Sequence, residues 1–183
     1  MRCMKYGIIT LCMLISGCSS SGNIAQGPAE IPFCPSAIHI SYKADPQLNI
    51  YNGMSHAIML VIYQLQNNNT FLDLSKSEAG ILVLLSGQNF DSTVMSVQRC
   101  FIEPGSTGNL DIDRAEKTQW VGIAAGYNSL EPDKSSRFYR IPLKKVKKGM
   151  ALFSKTRMEA DSLDINISLS PYGIQDNPTI HEK

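Results

Sequence analysis

Long hydrophobic runs are what this 183-residue sequence lacks. Its longest apolar stretch outside the globular region spans roughly ten residues, half of the ~20 that a membrane-spanning helix requires. Histidine is scarce. His39, His56 and His181 are scattered, none forms His-x-x-x-His, and none neighbours a cysteine, so no metal-ligand spacing is present. Gly-x-Ser-x-Gly, a phosphate-cradling glycine loop and paired carboxylates of recognisable spacing are all missing, and no enzyme is expected. Only a triad assembled in space from His39 or His56, a carboxylate and a nucleophile would revive one. The formal net charge is only +1, without the basic stripe that nucleic-acid binding needs. There is no internal repeat, and no cofactor is expected beyond a covalent lipid.

That lipid is read from the N-terminus. Met1-Arg2-Cys3-Met4-Lys5 is basic, Tyr6 to Ile15 is apolar, and Ile15-Ser16-Gly17-Cys18 ends the segment in small residues. Charge, short apolar run and cleavage site in that order are the layout of a secretory signal peptide over residues 1–17. The last four residues resemble a bacterial lipobox. The resemblance implies a cut between Gly17 and Cys18, a diacylglycerol on the Cys18 thiol and an acyl chain of the palmitate class on the new amine. Two or more chains make membrane anchoring stable, at ~0.8 kcal/mol per buried CH₂. By the usual sorting rule, Ser19 after the cysteine directs the product to the outer membrane, on the periplasmic face. Ser19-Ser20-Ser21-Gly22-Asn23 and Gly27-Pro28 make 18–36 a tether whose composition cannot bury a core.

Removing residues 1–17 leaves about 166, enough for one domain with its own core. Five cysteines become three. With Cys18 lipidated, Cys34 and Cys100 enter an oxidising compartment, and a bridge between them is expected. It would close a loop of ~65 residues and contribute at most ~4 kcal/mol. Two buried free thiols are the alternative, with a metal pair a weaker one because no His or Cys sits near either in metal-ligand spacing.

The domain, 37–170, reads as β throughout. Ala37 to Lys43 alternates, with Ile38, Ile40 and Tyr42 on one side. Ala57 to Leu65 is apolar on both faces, so it belongs in mid-sheet or between layers. Ser75 with Glu78 three residues on is a capping-box pattern that predicts a helix over Ala79 to Leu85 within an insertion at about 71–90, closed near Gly87. Strands are predicted at Val94 to Ile102, around Leu110 and Ile112, and from Trp120 to Tyr127, where Gly122, Ala124 and Gly126 form a small face that lets another layer approach. Further strands are predicted at Arg137 to Leu143, Met150 to Phe153, and Leu163 to Leu169. Glu103-Pro104-Gly105 signals a type II turn. Residues 171–183 read as a loose tail. Seven or eight short strands with one helical insertion are the profile of a two-sheet β-sandwich.

The order of several short motifs adds a family resemblance. Leu48-Asn49, a loop, and Val61-Ile62-Tyr63-Gln64-Leu65 resemble the start of the TssJ family, outer-membrane lipoproteins of type VI secretion systems. Glu103-Pro104-Gly105, Gly122-Ile123-Ala124-Ala125-Gly126-Tyr127 and Arg140-Ile141-Pro142 follow in the family's order, and Phe71 and Phe90 flank the insertion as they do there. The resemblance spans Ala37 to Leu169. It implies a transthyretin-like sandwich that anchors a secretion membrane complex by binding the periplasmic domain of the inner-membrane protein TssM, with a TssL-like component in the same complex. It also implies a partner-binding loop between the first two strands, here Ile50, Tyr51, Asn52, Gly53, Met54, Ser55 and His56. Many relatives carry Pro, Asp and Gly after the Leu-Asn pair, where this chain has Ile50 to Gly53.

The residues of that loop agree in part. Ile50, Tyr51 and Met54 are apolar groups among turn formers, and aromatic residues and Met are enriched at interface centres. The alternative is that Ile50 and Tyr51 continue the first strand or cap the core. Lys144, Lys145, Lys147 and Lys148 form a basic cluster, read as a solvated strand end, with anionic headgroups or an acidic partner as the sharper option. Trp120 reads as core, and Asp111 and Asp113 as solvated. Two other functions stay open: an envelope lipoprotein binding a small ligand or cell-wall glycan in an apolar pocket, and an enzyme acting on the wall.

Overall fold

A computed structural model describes residues 31–148 and 155–176. The expected signal segment, Cys18, the tether up to residue 30, the strand at Met150 to Phe153, His181 and the end of the tail lie outside the described residues. Ten strands and three helices follow in the order β1 Cys34–Ala44, β2 Ile58–Leu65, α1 Asn69–Ser75, α2 Glu78–Leu85, β3 Val94–Ile102, β4 Thr107–Arg114, β5 Trp120–Ala125, α3 Pro132–Ser135, β6 Ser136–Arg140, β7 Leu143–Lys148, β8 Lys155–Ala160, β9 Leu163–Ser170 and β10 Gly173–Asp176. One four-stranded sheet runs β10-β9-β1-β4 and the other β3-β2-β5-β6; β7 and β8 pair only with each other. All pairings are antiparallel except β1 with β9. The β-sandwich is as expected.

The two inner faces make the core. Ile38 and Ile40 of β1, Ile112 of β4 and Ile165 and Ile167 of β9 meet Leu60 and Ile62 of β2, Ile102 of β3 and Ile123 of β5. The outer face of the second sheet is also buried. Val61, Tyr63 and Leu65 of β2 and Ala124 of β5 pack with Phe71 of α1 and Leu84 of α2. Strand β2 is therefore apolar on both sides because it is the middle strand of a three-layer stack. The small face of β5 has the predicted purpose: a Cβ on Gly122 would lie 2.5 Å from the Phe71 ring, so only glycine admits that ring.

Two adjacent polar side chains tie the layers together. Tyr63, fully buried, donates its hydroxyl at 2.5 Å to the Leu84 carbonyl at the end of α2, which also accepts the Gly87 N–H. Its rings meet Phe71 and Phe90 at 6.0 and 5.3 Å. Burial pushes the Tyr63 hydroxyl up to about 12. Gln64, pointing the other way, donates Nε2 to the Asp113 carbonyl at 2.8 Å and accepts at Oε1 from the Ala115 N–H at 2.7 Å and the Thr118 hydroxyl at 3.1 Å. It thereby joins the second sheet to the end of β4 in the first.

Four expectations change. The helix stands where expected but its cap differs: Ser77, not Ser75, accepts from the Gly80 N–H, while the Ser75 hydroxyl closes α1 by donating to the Leu72 carbonyl. The run expected as one strand from Arg137 to Leu143 is two, because Pro142 lies between β6 and β7 and cannot donate to a ladder. The start of the expected loose tail is β10, bonded to the edge of β9. Finally, the expected Cys34–Cys100 bridge is absent and both thiols are free. Cys34 pairs with Arg114 in the first sheet, beside the Gln64 junction, whereas Cys100 pairs with Leu60 in the second. Four residues of β2 separate Gln64 from Leu60, about 13 Å at ~3.3 Å per residue. A disulfide requires Cα atoms within ~7 Å. The Glu103-Pro104-Gly105 turn is as predicted, with Gly105 at φ +72° and the Ser106 N–H on the Glu103 carbonyl.

Two measurements test this arrangement. Gln64→Leu keeps the volume but strands the Ala115 N–H and Asp113 carbonyl, and is expected to cost ~2–4 kcal/mol in urea unfolding; a loss below 0.5 kcal/mol on the same order-of-magnitude scale would remove the bridge from the account. Iodoacetamide followed by peptide mapping, without reduction, is expected to alkylate Cys34 and Cys100 separately. Burial holds the Cys100 thiol above its ordinary value, so its labelling should keep accelerating as pH rises past 9. A cross-linked peptide would contradict the geometry.

Candidate functional site

The chain between β1 and β2 emerges at one end of the sandwich. Its base is fastened before it projects. Asp45 accepts the Gln47 N–H on its carboxylate and the Leu48 and Gly105 N–H groups on its carbonyl, while its own N–H donates to Leu169. Leu48 is fully buried in the core. Asn49 follows with φ +49°, a left-handed conformation that Asn tolerates better than most residues. Its Oδ1 accepts the Asn128 N–H at 2.7 Å, one residue beyond Tyr127. The Leu-Asn pair and the glycine-rich strand ending at Tyr127 are thus two halves of one anchor.

Beyond that anchor the loop folds on itself. Tyr51 and Met54 exchange two backbone hydrogen bonds of 2.9 and 3.0 Å. Between them Asn52 and Gly53 have φ +50° and +75°. Positive φ at both central residues is the type I′ turn that Asn-Gly favours. The return leg is held by Ser55, whose hydroxyl donates to the Pro46 carbonyl at 2.9 Å, and by His56, whose N–H donates to Leu48 at 3.0 Å. The His56 ring lies 6.4 Å from that of Tyr51, with Nδ1 3.3 Å from the Asn49 carbonyl. Ile50 is half-buried.

The seven residues 50–56 therefore form one miniature hairpin, with Tyr51 50% and Met54 63% exposed. Tyr51 neither continues β1 nor caps the core. The turn is locked by its backbone and holds an aromatic ring and a thioether in water. Tyr172, 63% exposed in the β9–β10 turn, stands at the same end and was not anticipated. Its signal was a lone aromatic beside Pro171 in a stretch without alternation.

Elsewhere chemistry is sparse. His39 and Asp111 meet at 2.7 Å on the outer face of the first sheet. Ser41 follows on that face, but its hydroxyl donates to Asn109 rather than to His39. Asp113 accepts the Ser36 N–H. No group of three His, Cys, Asp or Glu side chains among the described residues could hold a metal ion. Trp120 is half-buried, with the Arg140 guanidinium 5.6 Å over its ring. A cleft of about 850 Å³ opens at the opposite end from the loop, lined by Ile31, Phe33, Arg114, Lys117, Lys144 and Arg157 among others. Its lining mixes these charged side chains with apolar ones, Ile31, Pro32, Phe33 and Ala160.

Comparison with known proteins agrees with this architecture. Residues 36–169 match the family described as "Type VI secretion lipoprotein, VasD, EvfM, TssJ, VC_A0113". No match was found among curated proteins. Among solved structures the chain resembles the Serratia marcescens Lip, a membrane-bound component of the type VI secretion system, at 18% identity and TM-score 0.59, over 84% of this chain and 100% of that one. It also resembles the lipoprotein TssJ1 from Pseudomonas aeruginosa, at 18% identity and TM-score 0.55, over 80% and 100%. A chain of the structure described as "T6SS protein TssM C-terminal domain (869-1107) from EAEC" matches at 15% identity and TM-score 0.56, over 78% and 98%. At these identities the structural likeness speaks for the fold.

If Asn49 is the pin of the hairpin, Asn49→Ala should release it. The Asn128 N–H loses its acceptor and Ala disfavours positive φ, at a combined cost of ~1–3 kcal/mol. Hydrogen exchange at the Tyr51 and Met54 amides is expected to accelerate at least tenfold, with β2 amides changing far less. Equal protection in both proteins would show that the turn holds itself.

Proposed function

Since the chain belongs to the TssJ family of type VI secretion lipoproteins, we propose that it is a docking post, held to the outer membrane by a lipid on Cys18 and joined through its 50–56 hairpin to the periplasmic domain of a TssM-like inner-membrane protein. The observation that carries this reading is the hairpin: a rigid turn exposing Tyr51 and Met54, at the end of the sandwich away from the start of β1. Strand β1 has 11 residues and runs about 33 Å from one end to the other. The chain leading from Cys18 joins the near end and the hairpin caps the far one. Support also comes from similar chains in structures described as a TssM C-terminal domain and a type VI membrane complex.

The mechanism is coupling rather than chemistry. A standard protein interface buries ~800 Å² per partner, more than a seven-residue hairpin supplies. Neighbouring groups at the same end, Tyr172 and the Glu103–Gly105 turn, complete the patch. Tyr51 is its anchor, because aromatic side chains dominate interface energy with little rotamer entropy to lose. Lipid confinement raises the effective concentration of the patch, so even a micromolar contact is largely occupied. A TssL-like component belongs to the same assembly through TssM.

Replacing both exposed side chains, Tyr51→Ala with Met54→Ser, should leave the urea midpoint within about 0.5 kcal/mol of the parent, as for other surface changes. Pull-down of the TssM-like periplasmic domain should be lost. Undiminished capture by the folded double variant would transfer the contact to another surface.

A further inference from the structure

The β7–β8 ribbon is not used by the docking reading, and its charge is unlike that of the rest of the chain. Residues 143–160 hold six cations, Lys144, Lys145, Lys147, Lys148, Lys155 and Arg157, against one carboxylate, Glu159, whereas the whole chain is only +1. The ribbon joins neither main sheet. Its register sets Lys144 opposite Glu159, Lys145 opposite Met158, Val146 opposite Arg157 and Lys148 opposite Lys155. Cations therefore occupy both faces, and within the ribbon Glu159 is their one opposing acid.

Its base fixes where it stands. The Asp161 N–H donates to the Pro142 carbonyl, and the Asp161 carboxylate takes the Lys144 ammonium at 2.6 Å. The Lys144 hydrogen bond and charge, with the Ser162 N–H and the Arg114 charge, hold that carboxyl below its usual range. The Asp161 carbonyl accepts Arg114 Nη1 at 2.8 Å. Arg114 is 3% exposed, and its Nε has no hydrogen-bond partner. It sits opposite Cys34, where β1 begins, and the Ile31 carbonyl accepts the Lys117 N–H at 2.8 Å. The ribbon, Arg114, Lys117 and the incoming chain thus share one end and one cleft, where Arg114, Lys117, Lys144 and Arg157 face Glu116 and Glu159. The hairpin of residues 50–56 is at the other end.

We infer that this basic end is a membrane-facing surface: the β7–β8 ribbon and the cleft beside it rest on acidic phospholipid headgroups of the bilayer that holds the anchor, and so orient the domain with its docking hairpin outward. Two observations select lipid over an acidic protein. The described chain begins at Ile31, thirteen residues after Cys18, and thirteen residues extend at most about 45 Å. The basic end is the one that the tether joins. The charge is also concentrated on a projecting two-stranded ribbon rather than in a concave interface core, which suits a diffuse anionic surface. Attraction of this kind fades within a Debye length, ~8 Å at physiological salt, so it acts only at contact. The inference rests on the Cys18 anchor proposed above.

The natural full-length protein, purified from membranes, would be reconstituted into vesicles of phosphatidylcholine alone or with 30 mol% phosphatidylglycerol. Brief acetylation by an amine-reactive ester, read by peptide mass spectrometry, compares Lys117, Lys144 and Lys145 with Lys43, an exposed residue near the far end of β1. The acidic vesicles should slow labelling at the first three at least threefold, leave Lys43 unchanged, and lose the effect in 1 M salt. A variant with Lys145→Gln and Arg157→Gln should lose the slowing at Lys117 while unfolding at the parent's urea midpoint. Equal labelling in the two vesicle types, or slowing at Lys43 as well, overturns the inference. The same spectra report the mass at Cys18. A lipidated Cys18 with no slowing sinks the surface and keeps the anchor. An unmodified Cys18 sinks the anchor, and sedimentation of that protein with acidic but not neutral vesicles would still uphold the surface.

Discussion

Strand β2 is covered on both faces, and most of the molecule follows from that constraint. A strand that reads Ile-Met-Leu-Val-Ile-Tyr-Gln-Leu with nearly every residue buried cannot sit in an ordinary two-layer sandwich, where one face meets water. It needs a sheet on one side and something else on the other. The something else is the pair α1 and α2, admitted against β5 because Gly122 and Ala124 leave room. Burying polar atoms in such a position is tolerable only if each is bonded. Tyr63 and Gln64 meet that condition in opposite directions, one towards the helices and one towards the other sheet. The motif that marks the strand in the sequence is therefore structural. It records where three layers are joined.

The same logic gives the docking hairpin its stiffness. A loop of a dozen residues would ordinarily fluctuate, and a partner would have to order it at an entropic cost. Here Leu48 sinks into the core, Asn49 bonds across to Asn128, and the Asn52-Gly53 turn shortens the free segment to its tip. Residues 50–56 can vary chemically while the anchors stay, because the anchors face inward and the tip faces water.

What the sequence revealed was whatever local periodicity encodes. The alternation in Ala37–Lys43, the two-faced burial of β2 and the small face of β5 all came from spacing, since side-chain direction in a strand is fixed by residue parity. What it concealed depended on choices between near-equal local options or on distant contacts. Ser75 and Ser77 are both competent caps, and the turn between α1 and α2 selects the second. Strand β10 has only four residues and exists because β9 offers an open edge. The bridge between Cys34 and Cys100 was inferred from compartment and count, and neither reports that the two lie in different sheets at different heights. In the candidate site the hairpin was legible as apolar residues among turn formers, whereas Tyr172 joins it only through the fold.

The two ends of the sandwich differ in kind, and the difference bears on how a tethered post transmits load. The far end exposes Tyr51 and Tyr172 beside Asp45 and Glu103, and the near end is basic. On the proposed anchor, a tether of thirteen residues would limit the distance of the domain from the bilayer to ~45 Å but leave the direction of the domain unset. A body about 33 Å long could then turn its docking patch towards the membrane as easily as away from it, and a partner arriving from the other side would meet a target at random orientation. Charge at the tethered end, on the inference drawn above, would remove that freedom without a second hydrophobic anchor, because lysines near an anionic surface contribute individually little and collectively enough. Weak, numerous and screened contacts also leave the domain free to tilt under load, which one rigid attachment would not permit. On the proposed anchor, the cations gathered on the ribbon and cleft at the end that the tether joins would favour directional docking, independent of the chemistry at the far tip.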